Sequence, residues 1–307
     1  MWDRLPDSIR SLFGMPTRHY RPPVTNAWEW PLYRMAMYQL GMSMDIAYKL
    51  MDAGPMPPHY RYRHFSVPKR DGSPRDLVEP GPALKAAQRK ILRLFLNKSK
   101  AHSAALGFRR KKSIADHAWA HAGAAIVITA DIEDFFPSTT RQRVKSWWRA
   151  QGYSTLETRL LTSLTTYRGS LPQGAPTSPA LSNLINSDLD AALDRRVRQT
   201  GGTYTRYADD LVFSWPHGLE PPADFEQAVR AVLREYGYAL HPRKGWHVWR
   251  RRDEPEITGV YLTRQGTVDI PDSMRRIMRV LAHSKDEGDQ ARLAGYQGYE
   301  RMITRRD

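Results

Sequence analysis

The feature that most constrains this chain is the sequence Tyr-Ala-Asp-Asp at residues 207–210. Residues 203–206 are rich in β-favouring side chains, and residues 211–215 alternate with a period of two. The pattern predicts two strands joined by a turn that holds both carboxylates exposed and close together. Adjacent carboxylates repel each other unless a cation neutralises them, so the turn favours a divalent metal site. An ordinary surface turn is the alternative, because Asp is common in turns.

A third carboxylate follows another predicted strand. Residues 125–130 form an apolar run that ends at Asp131. Taken alone, Asp131 would be the N-cap of a helix that follows the strand. Together with Asp209 and Asp210 it would complete a set able to hold two Mg²⁺ ions, each with open positions for water and phosphate oxygens. Two such ions about 4 Å apart stabilise the attacking and the leaving oxygen of a phosphoryl transfer.

Three segments, in this order, resemble the motifs of reverse transcriptases. They are Asp131 with Phe-Phe at 135–136, the sequence Leu-Pro-Gln-Gly-Ala-Pro-Thr-Ser-Pro at 171–179, and the Tyr-Ala-Asp-Asp sequence. Similar fingers motifs lie at 65–88 and 102–114, and similar palm motifs at 237–244 and 257–259. The resemblance covers roughly residues 60–262. It implies an α+β fold with the right-hand polymerase architecture of fingers, a palm with an antiparallel sheet, and a small helical thumb.

Proline, glycine and charge patterns, read with the resemblance, predict six segments. These are an N-terminal helical extension (1–59), fingers (60–124), palm with the first catalytic Asp (125–145), a fingers excursion (146–170), palm with the Tyr-Ala-Asp-Asp hairpin (171–262) and thumb (263–307). Helices are predicted near residues 32–50, 84–96 and 225–236. In the thumb, Asp272 or Ser273 is expected to cap a helix with an apolar stripe at residues 274, 277, 278 and 281.

The resemblance also implies roles for individual residues. The catalytic residues, which also bind two Mg²⁺ ions, would be Asp131, Asp209 and Asp210. The nucleotide-binding residues would be Lys69, Arg75, Phe136, Gln173, Gly174 and Lys244. In these roles Lys69 and Arg75 hold the triphosphate, and Gln173 and Gly174 pack against the incoming nucleotide. Phe136 would exclude the ribose 2′-hydroxyl and so select dNTPs, and Lys244 would protonate the leaving pyrophosphate.

Among reverse transcriptases, the chain is most similar to those of bacterial retrons. The similarity rests on the compact length, on residues 206–214, and on Ile-Thr-Gly at 257–259, where retrons have Val-Thr-Gly. Retrons also carry an Asn-Ala-x-x-His element, and the matching stretch here is His-Ala-Trp-Ala-His at 117–121. RNA contact is the role implied for His117 and His121. A structural role is the alternative, and a zinc site lacks a third ligand of suitable spacing.

Charge and composition agree with a nucleic-acid partner. The 307 residues include 47 Lys+Arg and 32 Asp+Glu, which gives a net charge of +15. A surplus of this size favours a polyanion. On the thumb helix, Arg275, Arg276 and Arg279 are predicted to track RNA phosphates, with a solvated basic face as the alternative. The chain has no cysteine, and no apolar run approaches the ~18 residues that span a bilayer. No membrane partner and a cytoplasmic location in a bacterium are therefore expected.

A retron enzyme would copy part of a structured noncoding RNA from an internal 2′-hydroxyl, using dNTPs. Its product would be a branched RNA–DNA hybrid used in antiphage defence, with an effector protein from the same locus as partner. Three alternatives remain. The chain could be another bacterial reverse transcriptase (group II intron-like, CRISPR-associated or of another defence type). An RNA-dependent RNA polymerase is disfavoured by Phe136 and Ala208. A catalytically silent RNA-binding scaffold is disfavoured by the three carboxylates.

Overall fold

A computed structural model describes residues 29–52, 56–68, 72 and 74–305. Its α-helices are α1 (Trp30–Tyr33), α2 (Met44–Met51), α3 (Pro82–Leu94), α4 (Ile114–Trp119), α5 (Phe135–Ser138), α6 (Arg141–Ala150), α7 (Thr155–Thr165), α8 (Ser178–Ile185), α9 (Ser187–Arg198), α10 (Phe225–Glu235), α11 (Asp272–Ala282) and α12 (Glu287–Thr304). Its strands are β1 (Tyr62–Pro68), β2 (Pro74–Pro80), β3 (Ile126–Asp131), β4 (Thr203–Tyr207), β5 (Asp210–Trp215), β6 (His247–Arg250), β7 (Glu256–Ile257), β8 (Val260–Leu262) and β9 (Val268–Asp269). A π-helix (Arg34–Leu40) and three short 3₁₀ helices complete the described secondary structure.

These elements form two compact units. The first contains the described residues up to 98 and residues 140–178. The second contains residues 99–139 and the described residues from 179 onward. The six segments predicted from the sequence were divided by motifs and composition, whereas these two units are divided by compactness. The bounds of the six segments therefore stay a prediction.

The first unit contains a β-hairpin and a helical core. Strands β1 and β2 pair antiparallel, with Pro68 opposite Pro74. Most of the turn between them, including Lys69, lies outside the described residues. Helix α3 is fastened by the buried Gln88, whose Nε2 donates to the Tyr62 hydroxyl and to the Leu164 carbonyl, both at 2.8 Å.

One predicted helix in this unit is interrupted. The pattern at residues 32–50 predicts a single helix, but Gly41 adopts a left-handed φ of 71° after the π-helix. Helix α2 then starts anew, with the Ser43 side chain accepting a hydrogen bond from the Ile46 amide. The periodic apolar pattern continues across this break, which is why periodicity alone did not reveal it.

The second unit is built on a four-stranded antiparallel sheet in the order β4-β5-β3-β6. One face packs Ile128 and Phe213 with α9 and α10. The other face packs Val127 and Val212 with α4 and the small sheet β7-β8-β9. Because both faces are covered, β3 is a nearly continuous apolar run, and residues 211–215 of β5 are all buried, so their period-two pattern does not mark an exposed face. The sheet is therefore a rigid support for the side chains at its ends.

The C-terminal helix α11 forms where the sequence predicts it, but it begins differently. Its N-cap is Pro271, and neither Asp272 nor Ser273 caps it. Met274, Met278 and Leu281 pack inward as expected, whereas Ile277 is 42% exposed. No helix in the described part of the chain is both long enough and apolar enough to cross a membrane.

Candidate active site

The structure brings the three predicted catalytic carboxylates to one end of the four-stranded sheet. Asp131, the last residue of β3, lies directly opposite Asp210, the first residue of β5. Asp209 lies in the two-residue turn between β4 and β5, and its carbonyl accepts a hydrogen bond of 3.0 Å from the Ile132 amide. The strand–turn–strand prediction is confirmed, but the turn is half-buried rather than exposed.

The pKa values of Asp131 and Asp210 indicate that negative charge is concentrated at this end of the sheet. Burial, followed by the charge of Asp209, raises the pKa of Asp131 to about 6. Burial raises the pKa of Asp210 to about 7, with further contributions from Asp209 and Asp131. Lys244 lowers both pKa values and His241 lowers that of Asp131, but neither offsets the increase. The carboxylates therefore lack sufficient positive charge from the protein.

A divalent cation fits this charge distribution. In the part of the chain that the structure describes, no group of three or more His, Cys, Asp or Glu side chains is arranged so that the group alone could hold a metal ion. Mg²⁺ that acts on phosphates does not need such a group, because it takes one or two carboxylates and completes its shell with water and substrate oxygens. Asp131, Asp209 and Asp210 offer oxygen donors, and the raised pKa values of Asp131 and Asp210 indicate crowded negative charge, which is the chemistry such an ion requires.

A buried ion pair stabilises the turn that carries Asp209. The Arg206 guanidinium contacts the Asp190 carboxylate at 2.6 and 2.8 Å, and both side chains are fully buried. The remaining nitrogen, Nη1, donates to the carbonyl of Ala208 at 3.1 Å. Ala208 has a left-handed φ of 58°, which costs energy for a residue with a Cβ. The third contact of Arg206 therefore stabilises the strained turn beside Asp209.

Residues 104–107 pack against the same turn. The Leu106 amide donates to the Arg206 carbonyl and the Arg206 amide donates to the Ala104 carbonyl, both at 2.8 Å. Gly107 approaches so closely that an added Cβ would lie 2.8 Å from the Ala208 nitrogen. Only glycine fits this contact without displacing the turn.

Two predicted nucleotide-binding residues belong to the same unit as the carboxylates. The half-buried Phe136 lies in α5, and its ring centroid is 5.4 Å from that of Phe135. Lys244 is exposed in the loop after α10, and its charge acts on Asp131 and Asp210. The charge of Lys244 thus reaches Asp131 and Asp210, and Phe136 follows Asp131 by five residues along the chain.

Three other predicted nucleotide-binding residues lie in the first unit. Arg75 is exposed on β2, and the amide of Val78 on the same strand donates to the Gln173 carbonyl at 2.9 Å. Gly174 has a φ of 116°, and an added Cβ would lie 2.5 Å from the Val78 carbonyl oxygen. The loop that carries Gln173 is therefore fitted tightly against β2.

The structure contradicts the predicted RNA contact of His117 and His121. Both side chains are buried, and the Thr205 hydroxyl bridges His117 Nδ1 at 2.8 Å and His121 Nε2 at 2.7 Å. His121 Nδ1 contacts the Ser214 hydroxyl at 2.7 Å. Burial, with the Arg206 charge as a second cause, lowers the pKa of His117 to about 3. These imidazoles are neutral packing groups behind β4 and β5, as the structural alternative had it.

The three thumb arginines differ in their surroundings. Arg275 pairs with Asp269 and, at 3.5 Å, with Glu300. Arg276 and Arg279 are exposed. The prediction of phosphate contact thus fits Arg276 and Arg279 better than Arg275, whose charge already has partners.

With this geometry established, comparison with known proteins identifies the family. A family model described as reverse transcriptase (RNA-dependent DNA polymerase) matches residues 67–262. The chain belongs to the reverse transcriptase family. The retron Mx162 reverse transcriptase of Myxococcus xanthus is 36% identical over 75% of this chain and 54% of its own length. The retron Ec86 reverse transcriptase of Escherichia coli is 33% identical over 67% of this chain and 64% of its own length.

The resemblance to bacterial retron reverse transcriptases is therefore confirmed. The chain spans only about half to two thirds of these relatives. Among solved structures, apo telomerase from Candida tropicalis matches 73% of this chain and 50% of its own, with a TM-score of 0.52 and 12% identity. At that identity the likeness concerns the fold alone. It supports the predicted α+β, right-hand polymerase fold class, which the family match confirms.

Sequence reasoning did not assign several residues that support the site. Arg206 is part of the retron-like string, but nothing in the sequence pairs it with Asp190 on α9. Thr258, inside the Ile-Thr-Gly element, has its hydroxyl 3.4 Å from Asp210 Oδ2. The motif marked the position of Thr258, whereas its contact depends on how β7 and β8 pack beside the sheet.

Proposed function

We propose that this chain is an RNA-directed DNA polymerase that serves a retron. The observation that carries the proposal is the meeting of Asp131, Asp209 and Asp210 at the end of a rigid sheet, where burial and neighbouring carboxylates raise the pKa values of Asp131 and Asp210. Family membership supports the reaction class, and the two retron relatives support the biological setting.

In this proposal the chain's own residues prepare the reaction. Asp131, Asp209 and Asp210 would hold two Mg²⁺ ions, which supply charge stabilisation for the attacking and leaving oxygens. Arg206 and Gly107 keep the turn in place, so that the Asp209 carboxylate needs no rearrangement before reaction. Lys244 holds a proton at Nζ for the leaving pyrophosphate.

Nucleotide selection is proposed for the remaining residues. The Phe136 ring occupies the space that a ribose 2′-hydroxyl would need, so dNTPs are preferred. Lys69 and Arg75 contact phosphates, Arg75 through a guanidinium suited to bidentate contacts. Gln173 and Gly174 pack against the incoming nucleotide from a loop held against β2.

The retron setting gives the proposal its substrate and product. We propose that a structured noncoding RNA is template and primer, that synthesis starts at an internal 2′-hydroxyl, and that a branched RNA–DNA hybrid results. An effector protein from the same locus and a role in antiphage defence belong to the same proposal. A cytoplasmic location follows from where such an RNA is transcribed.

Substitution of the carboxylates tests the polymerase proposal. DNA synthesis on an RNA template with dNTPs is measured for the wild type, Asp209→Asn and Asp210→Asn, and RNA binding is measured in parallel. Asp188→Asn is a matched control, because Asp188 is exposed on α9. We expect both active-site variants to lose synthesis and keep RNA binding. Retained synthesis, or an equal loss of RNA binding, would refute the assignment.

A further inference from the structure

Phe108 combines two unusual properties. Its side chain is 47% exposed, although it is a large aromatic residue. Its backbone has a left-handed φ of 60°, a conformation that bulky side chains rarely adopt. Strain of this kind persists only where the surrounding structure imposes it, and it concentrates at functional sites.

The backbone around Phe108 is fixed from several directions. The buried Asn183 donates to the carbonyl of Gly107 at 2.7 Å. The Arg109 guanidinium donates to the carbonyls of Ser103 and Ala105, both at 3.3 Å. The amides of Leu106 and Gly107 both donate to the Arg206 carbonyl. These contacts leave Phe108 little freedom, and they account for a strained φ at an exposed position.

The fixed backbone places the Phe108 ring against Phe136. The two ring centroids are 6.1 Å apart at an interplanar angle of 45°. Phe135 contacts Phe136 from the core side, at 5.4 Å and 64°, and is itself stacked on Tyr238 at 5.7 Å. The Phe136 ring therefore has an aromatic neighbour toward the core and another toward the surface. Removing Phe108 would remove the aromatic neighbour on the surface side of Phe136.

We propose that Phe108 is a positioning residue for sugar selection, acting through Phe136. An aromatic ring excludes a 2′-hydroxyl only if it cannot rotate away, and Phe108 blocks the outward rotation. Aromatic pairs of this geometry contribute about 0.5–1.5 kcal/mol beyond the area they bury. This inference rests on the proposed polymerase function and on Phe136 as the residue that selects the sugar. It gives a reason for an exposed aromatic ring beside the catalytic turn.

The test compares the ratio of kcat/KM for dCTP to that for CTP. Phe108→Leu removes the ring but keeps an apolar side chain. Phe108→Asn also removes the ring, and Asn tolerates the left-handed backbone, so a folding defect is avoided. Phe108→Tyr retains the ring. Tyr48→Leu is a control at another exposed aromatic, which lies on α2.

We expect the dCTP/CTP ratio to fall about threefold to tenfold in Phe108→Leu and Phe108→Asn, because the aromatic pair is lost. Phe108→Tyr and Tyr48→Leu should keep the wild-type ratio. In a Phe136→Ala background, Phe108→Leu should have no further effect on the ratio, since both residues act as one unit.

An unchanged ratio in both Phe108→Leu and Phe108→Asn would overturn the inference while leaving the polymerase proposal intact. A further drop of the ratio in the Phe136→Ala background would overturn the action through Phe136. Failure of the proposed function would look different, because the wild type itself would then make no DNA. That result would remove both proposals.

Discussion

Asp210 shows how surroundings change the chemistry of a single carboxyl group. Burial, Asp209 and Asp131 raise its pKa to about 7, against about 3.9 in an unfolded chain. Between these pH values the folded protein binds more protons than the unfolded one. The free energy of unfolding of the metal-free protein therefore falls as pH rises from about 4 to about 7. Ionised Asp210 destabilises the fold unless a cation is present.

Replacing this carboxylate should stabilise the metal-free protein at high pH. At pH 8 with chelator, we expect Asp210→Asn to have a free energy of unfolding higher by on the order of 1–3 kcal/mol, measured by urea denaturation. At pH 4 the difference should nearly vanish, because Asp210 is then protonated in the wild type. Asp188→Asn should show no such dependence. A gain that is equal at both pH values would contradict the assigned cause.

The thumb arginines should separate into two kinds. Arg276→Ala and Arg279→Ala should weaken RNA binding, and each should reduce the magnitude of the slope of log affinity against log salt concentration by about 0.7–0.9. Arg275→Ala should leave that slope nearly unchanged, because Arg275 is paired with Asp269 and Glu300. Fluorescence anisotropy over a salt series measures the slopes. Equal slopes in all three variants would show that the ion pairs do not decide which arginines bind RNA.

Individual residues differ in how far the sequence predicts them. The three carboxylates were predictable because strands place their end residues at fixed positions and the motifs give their order. The histidines at 117 and 121 were not. Their spacing suggests one helical face, but it does not show that Thr205 and Ser214 cover that face.

Among the secondary-structure elements, the β4–β5 hairpin is stabilised by residues from other elements. The Arg206–Asp190 pair is fully buried, and a buried ion pair contributes little net stability because desolvation offsets its attraction. Its third contact, to the carbonyl of Ala208, gives the pair a role in fixing the turn. The same turn accepts no Cβ at Gly107.

Loss of the guanidinium fork should impair catalysis more than folding. We expect Arg206→Lys to lower DNA synthesis about tenfold or more, because a lysine cannot contact both Asp190 oxygens and Ala208 at once. Arg198→Lys is a matched control. Arg198 lies on α9, the helix that also carries Asp190, and it pairs with Asp194 while its own side chain is largely exposed. Synthesis is measured below the melting temperature of each variant. Wild-type synthesis in a folded Arg206→Lys protein would contradict the role of the fork.

DNA synthesis should also require glycine at position 107. We expect Gly107→Ala to lower DNA synthesis, because its Cβ would lie 2.8 Å from the Ala208 nitrogen and must displace the turn. Gly295→Ala, on α12, has no atom within 4 Å of the added Cβ and should retain synthesis. That control should also gain about 0.5–1 kcal/mol of stability, because alanine favours helix. Full activity of Gly107→Ala would show that the turn has more freedom than its contacts indicate.

Secondary-structure elements were predictable where the apolar pattern extends over many residues. Strands β3 and β5 and helix α10 form where the sequence predicts them. The break at Gly41 and the start of α11 at Pro271 were missed. Both depend on local backbone choices, a left-handed glycine and a capping position, which apolar periodicity does not report.

At the scale of the whole molecule, the net charge and the order of the motifs support the proposed function. The net charge of +15 favours RNA, and the three carboxylates concentrate negative charge at one end of the sheet. The sequence predicts both of these features. It does not predict the contacts that hold the catalytic turn and Phe136, because these join segments far apart along the chain.

In the function proposed above, this chain makes DNA joined to its own RNA template. The most direct test is to purify the protein from cells that carry its native locus and to analyse the bound nucleic acid with RNase, DNase and debranching enzyme. We expect a short DNA that is attached to RNA through a 2′,5′ linkage and released by debranching. Bound RNA without linked DNA, from a protein that still copies a generic primer–template, would contradict the retron assignment.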